Sequence, residues 1–325
     1  MNQSIVEALG PLGEIYKIEG VTEIMVDAKD DIYYEANGKI VNSDFKLNDD
    51  EEILKIIKNI FKLVGRDVSN IKSFADCRLI DGTRFVAVFP PVAMGGYSFN
   101  LRKMPDKKLS WEELIKFKSI TAEGVDLLKN IVSKWKNVLV IGNEGSGKTT
   151  VLNNLIELIP ENFRVVVLEK NANLLLNRKR LVRLEALDNK IESMPELIKA
   201  ASLMRADCIV LDELRGEESE GMINLMRNGY SGIISMHAEN VLDGLKRLEM
   251  KFLAKNYGID INDVREIIAS TVNYVVFQER LSDGQRKMSE ISKVEFDNDK
   301  YKITPLYIFD KERKQFFLTC QKDKL

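Results

Sequence analysis

Between Asp49 and Leu63 the apolar residues Ile53, Ile56, Ile57, Ile60 and Phe61 return every third or fourth place. That period lays one apolar stripe along a helix, and Gly65 follows as a stop. On either side the pattern shortens to that of strands: Val21–Asp27 and Asp31–Glu35 before the helix, then Phe74–Ile80, Thr83–Phe89 and Tyr97–Arg102 after it. Asn37-Gly38 and Asp81-Gly82 are dipeptides suited to tight hairpins. Residues 1–104 therefore read as a small α/β domain.

The polar run Lys103–Lys108, with Pro105 inside it, marks a linker, placed at 105–112. Ser110 with Glu113 three residues on has the spacing of a capping box, in which each side chain satisfies the other's backbone amide. From 113 to 325 strands alternate with helices: Asn137–Ile141, a helix over Thr149–Ile159 stopped by Pro160, strand Arg164–Glu169, helix Met194–Arg205, strand Cys208–Asp212, helix Glu217–Asn228 ended by Gly229, strand Gly232–His237. Such alternation predicts parallel strands joined by crossover helices, a doubly wound sheet. From about Asn273 to Phe317 the chain returns to short strands, with Asp283-Gly284 as a hairpin turn. The fold class expected is thus α/β: a small N-terminal α/β domain, a larger domain built on a parallel sheet and a short-stranded C-terminal extension.

Charge narrows the function. Lysine and arginine number 48 against 50 acidic residues, for a net charge of −2, so there is no strong nucleic-acid signal of the kind a basic excess gives. Cys77, Cys208 and Cys320 are far apart and form no C-x-x-C pair, which suits a reducing compartment. The N-terminus has no basic segment followed by an apolar run, and no apolar stretch approaches the length of a membrane span. We expect a cytoplasmic protein that meets the membrane through partners.

The chemistry begins at GNEGSGKT: Gly142, Asn143, Glu144, Gly145, Ser146, Gly147, Lys148 and Thr149, with Thr150 next to it. The segment fits G-x-x-x-x-G-K-[ST] in full, follows an apolar strand and opens a helix. In such a loop glycines let backbone amides turn inward around phosphates, and the helix N-terminus adds its dipole. Lys148 is expected to reach the β- and γ-phosphates of ATP and Thr149 to hold Mg²⁺. Downstream, CIVLDE places Asp212 and Glu213 at the end of a buried strand, where an open sheet presents ligands. Asp212 could hold Mg²⁺ through water and Glu213 could activate the attacking water. His237, the single histidine, and Glu169 end two further strands of the same set.

With these residues in view the chain resembles the hexameric secretion ATPases of type II and type IV systems, most of all their Tad-pilus and conjugation-type branch. The segments that carry the likeness are VTEIMVDAKDDIYYEANGKI, DCRLIDGTRFVAVFPPVAMGGYSFNLRK, LVRLE, LDELRG, NGYSGIISMHAEN and RLSDG, in that order. The resemblance implies that Glu169 is an acidic-box glutamate, Glu213 the glutamate of the second carboxylate strand, and His237 a sensor of the γ-phosphate. It implies that Arg84 and Arg102 reach the nucleotide from the N-terminal domain. It also implies a RecA-like P-loop ATPase fold for the second domain, and a homohexameric ring that works against inner-membrane platform or channel proteins to drive pilus assembly or translocation.

Three positions depart from that pattern. Lys170 follows Glu169 where an aspartate is usual, Tyr230 stands where a first histidine is frequent, and Asp212 replaces a glycine. Lys170 favours Glu213 over Glu169 for water activation, with both kept as candidates. Two other functions stay compatible with the residues: a RecA-like DNA translocase or helicase, and a nucleotide-binding regulator with little turnover.

Overall fold

The computed structural model describes residues 3–36, 38–71, 73–104, 108–170, 173–186, 193–254 and 258–319. It divides into two compact units on either side of the boundary between residues 107 and 108. Asn37 of the first expected hairpin, residues 105–107 of the expected linker, and Cys320 lie outside the described residues.

In the first unit, helices α1 (Gln3–Ala8) and α2 (Gly13–Lys17) precede strands β1 (Val21–Ala28), β2 (Asp31–Ala36) and β3 (Lys39–Asn42). Helix α3 (Asp50–Leu63) follows, then β4 (Phe74–Arg78), β5 (Arg84–Val88) and β6 (Ser98–Arg102). The six strands form one antiparallel sheet in the order β3-β2-β1-β6-β5-β4. The predicted stripe of α3 is its buried face, packed with Phe85, Phe99 and Leu101 of the sheet and with α1 and α2, two helices the sequence pattern did not reveal. Asp49 caps α3 by accepting the Glu52 amide at 2.9 Å, satisfying one of the amides that a helix start leaves unpaired.

The second unit opens with α4 (Trp111–Lys116) and α5 (Ala122–Ser133). Ser110 and Glu113 form the expected capping box at α4, so that helix begins inside the expected linker. The alternating series is β7 (Val138–Ile141), α6 (Lys148–Leu158), β8 (Val165–Glu169), β9 (Leu181–Glu185), α7 (Met194–Leu203), β10 (Cys208–Asp212), α8 (Ser219–Arg227) and β11 (Ser231–Met236). Helices α9 (Val241–Leu253) and α10 (Ile261–Thr271) lead to β12 (Tyr274–Arg280), β13 (Arg286–Asp297), β14 (Lys300–Asp310) and β15 (Gln315–Leu318).

Among the described residues of this unit nine strands join one sheet, in the order β15-β14-β13-β12-β7-β11-β10-β8-β9. From β12 to β9 every pairing is parallel. Because strand side chains alternate between faces, Val138 and Val140 of β7 pack with α5 and α6, while Leu139 and Ile141 pack with α8, α9 and α10. Both faces are covered, which is why VLVI and VVVLE are continuous apolar runs rather than alternating ones.

The closing segment differs from the expectation of short strands. β13 and β14 run for 12 and 11 residues, and β12 pairs directly with β7, so they extend the main sheet rather than append to it. Charged residues such as Lys287, Lys293 and Glu295 interrupt the apolar pattern of β13 and make it look shorter in sequence. No described helix is long and apolar enough to cross a membrane. Cys77 and Cys208 are buried, and burial pushes their thiols up to about 11 and about 12.

Candidate phosphate-binding site

Parallel pairing delivers the ends of β7, β8, β10 and β11 to one edge of the sheet, in the register Asp212 beside Glu169 and Met236 beside Ile141. Four of the expected site segments begin there. The loop Gly142–Gly147 leaves β7 and enters α6 at Lys148. Gly142 has φ of +157°, and a Cβ there would sit 2.0 Å from the Gln278 carbonyl oxygen, so only glycine fits. Gly147, in left-handed backbone at φ +102°, turns the chain into the helix.

Lys148 Nζ donates to the carbonyls of Gly142 and Asn143 at 3.0 and 2.9 Å and to His237 Nδ1 at 3.3 Å. His237 Nε2 lies 3.0 Å from Glu213 Oε1. An ammonium has only donors to offer, so Nδ1 accepts and the proton of the neutral ring sits on Nε2, facing the carboxylate. Arg215 Nη2 holds the other oxygen of Glu213 at 2.8 Å. The result is a continuous polar chain, Lys148–His237–Glu213–Arg215. His237 stands one residue past β11 rather than ending it.

Glu213 occupies left-handed backbone at φ +68°. Two bonds hold it there: its own amide donates to Ser235 Oγ at 3.0 Å, and the Leu214 amide donates to the Ser235 carbonyl at 2.7 Å. Burial pushes the Glu213 carboxyl up, but the hydrogen bond and charge of Arg215, with His237 and Lys148, outweigh it and leave it below its ordinary value. Asp212 goes the other way. Burial first, then the Glu169 and Glu213 carboxylates, raise it to about 7 against the pull of Lys148 and Ser235. Burial also lowers Lys148, which Glu213, Asp212 and Glu144 partly restore.

Glu169 is engaged elsewhere. Its side chain is 1% exposed. One oxygen accepts the Leu174 amide at 2.9 Å, and the other takes Nε and Nη2 of Arg183 at 2.9 and 2.7 Å. Arg183 belongs to the LVRLE segment and Arg215 to LDELRG; the sequence singled out both segments without giving either arginine a role.

Arg84 and Arg102 lie in the first unit, directly opposite one another on β5 and β6. Opposed residues share a face, and Arg78 stands opposite Arg84 on β4, so three arginines form a row across that sheet. Arg84 approaches Asp76 at 3.6 Å, both exposed.

The residues suit a nucleotide polyphosphate. The loop brings amides, a helix start and a lysine together, and the buried Ser146 Oγ has no hydrogen-bond partner. Mg²⁺ keeps most of its water and takes few protein oxygens. The donor set fits that habit: Thr149 lies in the first turn of α6 and Asp212 ends β10.

A family model described as type II/IV secretion system protein matches residues 7–304. The chain belongs to that family. A putative conjugal transfer protein of Mycobacterium tuberculosis is 26% identical over 302 residues, covering 89% of this chain and 85% of the relative. Conjugal transfer protein TrbB of Rhizobium radiobacter is 26% identical over 227 residues, 68% of each chain. Among solved structures the pilus retraction motor PilT with bound ADP superposes with a TM-score of 0.64 at 17% identity, covering 88% of this chain and 79% of that one. The Legionella pneumophila ATPase DotB gives 0.60 at 17% identity, covering 86% and 78%. The structural likenesses establish the shared fold, and membership agrees with the resemblance read from the sequence. An ATP-driven part in a type IV secretion or pilus system is what these findings support.

Proposed function

We propose that this family member is a Mg²⁺-dependent ATPase that works as a homohexameric ring on the cytoplasmic side of an inner-membrane platform or channel, driving pilus assembly or substrate translocation. The observation that carries the catalytic part is the Lys148–His237–Glu213 chain at the mouth of the phosphate loop. The loop amides and Lys148 would bind the β- and γ-phosphates, Lys148 exchanging the Gly142 and Asn143 carbonyls for phosphate oxygens. Thr149 and Asp212 would hold Mg²⁺, which when bound neutralises charge on those oxygens.

Glu213, ionised at neutral pH and bonded to His237, is placed to orient water and accept its proton. His237 links that carboxylate to Lys148, so movement of the lysine onto a γ-phosphate alters what the base is bonded to. This is how a strand-end histidine reports the state of the phosphate. Arg84 and Arg102 would supply positive charge toward the transferring phosphoryl group, as arginines do in other P-loop enzymes. Cycles of hydrolysis would then drive conformational changes that move the ring.

The test is phosphate release by the purified full chain with ATP and Mg²⁺, with mass measurement of its assembly state. Hydrolysis by the native chain, and its loss in Glu213→Gln with ATP binding retained, is the expected result. A native chain that assembles and binds ATP yet releases no phosphate would reject the motor reading.

A further inference from the structure

We propose that the hairpin of β12 and β13 is the second half of the phosphate site, with Gln278 and Arg286 as positioning residues that shape the loop before any ligand arrives. The proposal rests on the reading that the loop binds nucleotide phosphates, and deepens it.

The sheet register brings the two parts together. Phe277 pairs with Ile141, so the next residue along β12, Gln278, falls beside Gly142. One register irregularity follows: Phe277 faces Glu290 but Gln278 faces Met288, leaving Ser289 as the extra residue of a bulge. Bulges re-aim the side chains beyond them, and here the resumed register brings Arg286 opposite Arg280. Both arginines border the loop.

Three glycines of the loop look onto this hairpin. A Cβ at Gly142 would meet the Gln278 carbonyl at 2.0 Å, one at Gly145 would lie 3.7 Å from Arg280 Nη1, and one at Gly147 would lie 3.4 Å from Arg286 Cδ. The bonds are directional as well. Gln278 Nε2 donates to the Ser146 carbonyl at 3.2 Å, and Arg286 Nε donates to the Gly145 carbonyl at 2.9 Å. A carbonyl oxygen turned toward a phosphate would repel it. With the carbonyls of Gly145 and Ser146 held from the hairpin side, the peptide units are fixed, and the amides that must surround the anion need no rearrangement when it binds. Pre-organisation of this kind lowers the cost of binding rather than adding a contact to the ligand.

Arg280 offers an internal comparison. It is exposed, and no hydrogen bond or ion pair engages its guanidinium among the described residues. It therefore brings charge to the same hairpin without gripping the loop.

Hydrogen exchange of the full chain without nucleotide reads the loop directly, and a fluorescent N-methylanthraniloyl-ATP with Mg²⁺ reads affinity. Arg286→Ala should speed exchange of amides 143–149 and weaken binding, each by about tenfold, the size expected for one charge-assisted bond. Gln278→Met keeps the volume of the buried side chain but drops the donor, and should act in the same direction. Arg286→Lys, which retains a donor, should recover most of the loop protection. Arg280→Ala should leave exchange of the loop unaltered and weaken binding less than Arg286→Ala does.

Unchanged loop exchange in both Arg286→Ala and Gln278→Met would overturn the proposal. So would an Arg280→Ala effect on affinity equal to that of Arg286→Ala, since charge alone would then suffice. If the native chain binds no nucleotide, the functional reading fails, while the exchange data still decide whether the hairpin orders the loop.

Discussion

Replacing Glu169 and Glu213 separately with glutamine tests which of the two carboxylates the fold needs and which the proposed hydrolysis needs. Glu169 is 1% exposed and takes three hydrogen bonds, two of them from Arg183. Hydrogen bonds to a charged group contribute ~1.5–3 kcal/mol each, and glutamine keeps one acceptor oxygen, so part of this set survives. Burial also raises the Glu169 carboxyl above its ordinary value, so ionising it already weighs against the folded state. The two effects together leave a net cost of about 1–2 kcal/mol for Glu169→Gln. Arg183→Met should cost about 3 kcal/mol, the low end for an uncompensated buried charge, because Arg183 is 33% exposed and water reaches the pair.

The pH dependence follows from the same shift. With its folded value raised, Glu169 holds its proton longer in the folded chain than in the unfolded one. Its contribution is full below the ordinary carboxylate range and is lost as pH rises through the folded value. Glu169→Gln should flatten that decline. Urea unfolding without nucleotide measures all of these effects, and phosphate release at saturating ATP measures turnover. We expect Glu169→Gln to be destabilised but active within a few-fold. Glu213→Gln should cost about 1 kcal/mol of stability, since glutamine keeps an acceptor for Arg215 but loses the charge, and should lower turnover by about a hundredfold or more. An unaltered unfolding midpoint with lost turnover in Glu169→Gln, beside an active Glu213→Gln, would refute the assignment.

Lys148→Ala should leave a folded chain and remove hydrolysis, because the cation at the phosphates is gone; near-native turnover would exclude this site. The fragment 109–325 should hydrolyse ATP far more slowly than the whole chain, and Arg84→Ala and Arg102→Ala should each reproduce part of that loss. A folded, similarly assembled fragment of full activity would dismiss the arginines. His237 gives a one-residue nuclear magnetic resonance test: with selective labelling, the nucleotide-free ring should show a protonated Nε2 and an accepting Nδ1, ATP should shift both signals more than ADP, and His237→Ala should bind nucleotide yet turn over slowly. A ring indifferent to both nucleotides, in a chain whose His237→Ala variant keeps full turnover, would return His237 to an ordinary surface role.

Much of the frame was legible because it depends on local pattern. The stripe of α3, the apolar runs of β7, β8 and β10, and the glycines of the phosphate loop each declare themselves within a dozen residues. What stayed hidden depends on pairing between distant segments. Nothing near Gln278 or Arg286 says that they bond to carbonyls 132 and 141 residues earlier; that contact exists because β12 joins the sheet beside β7. The same holds for Arg183, which bonds Glu169 from the neighbouring parallel strand, a contact that the strand-end position of Glu169 does not reveal.

Glu213 shows why the two kinds of information meet at the site. A non-glycine residue in left-handed backbone costs roughly 1–2 kcal/mol, and the residue before it, Asp212, occupies a place where the resembled family often has the more flexible glycine. The chain accepts that strain where two Ser235 bonds from the adjoining strand hold the turn. The turn accompanies a carboxylate bonded to the one histidine, while Asp212 stays beside Glu169 at the strand end. Relaxed backbone at 213 would send the carboxylate onward with the strand and break its link to His237 and Lys148. The strain thus falls on the residue proposed to activate water, and its serine anchor is invisible in sequence because a hydroxyl within an apolar strand carries no motif.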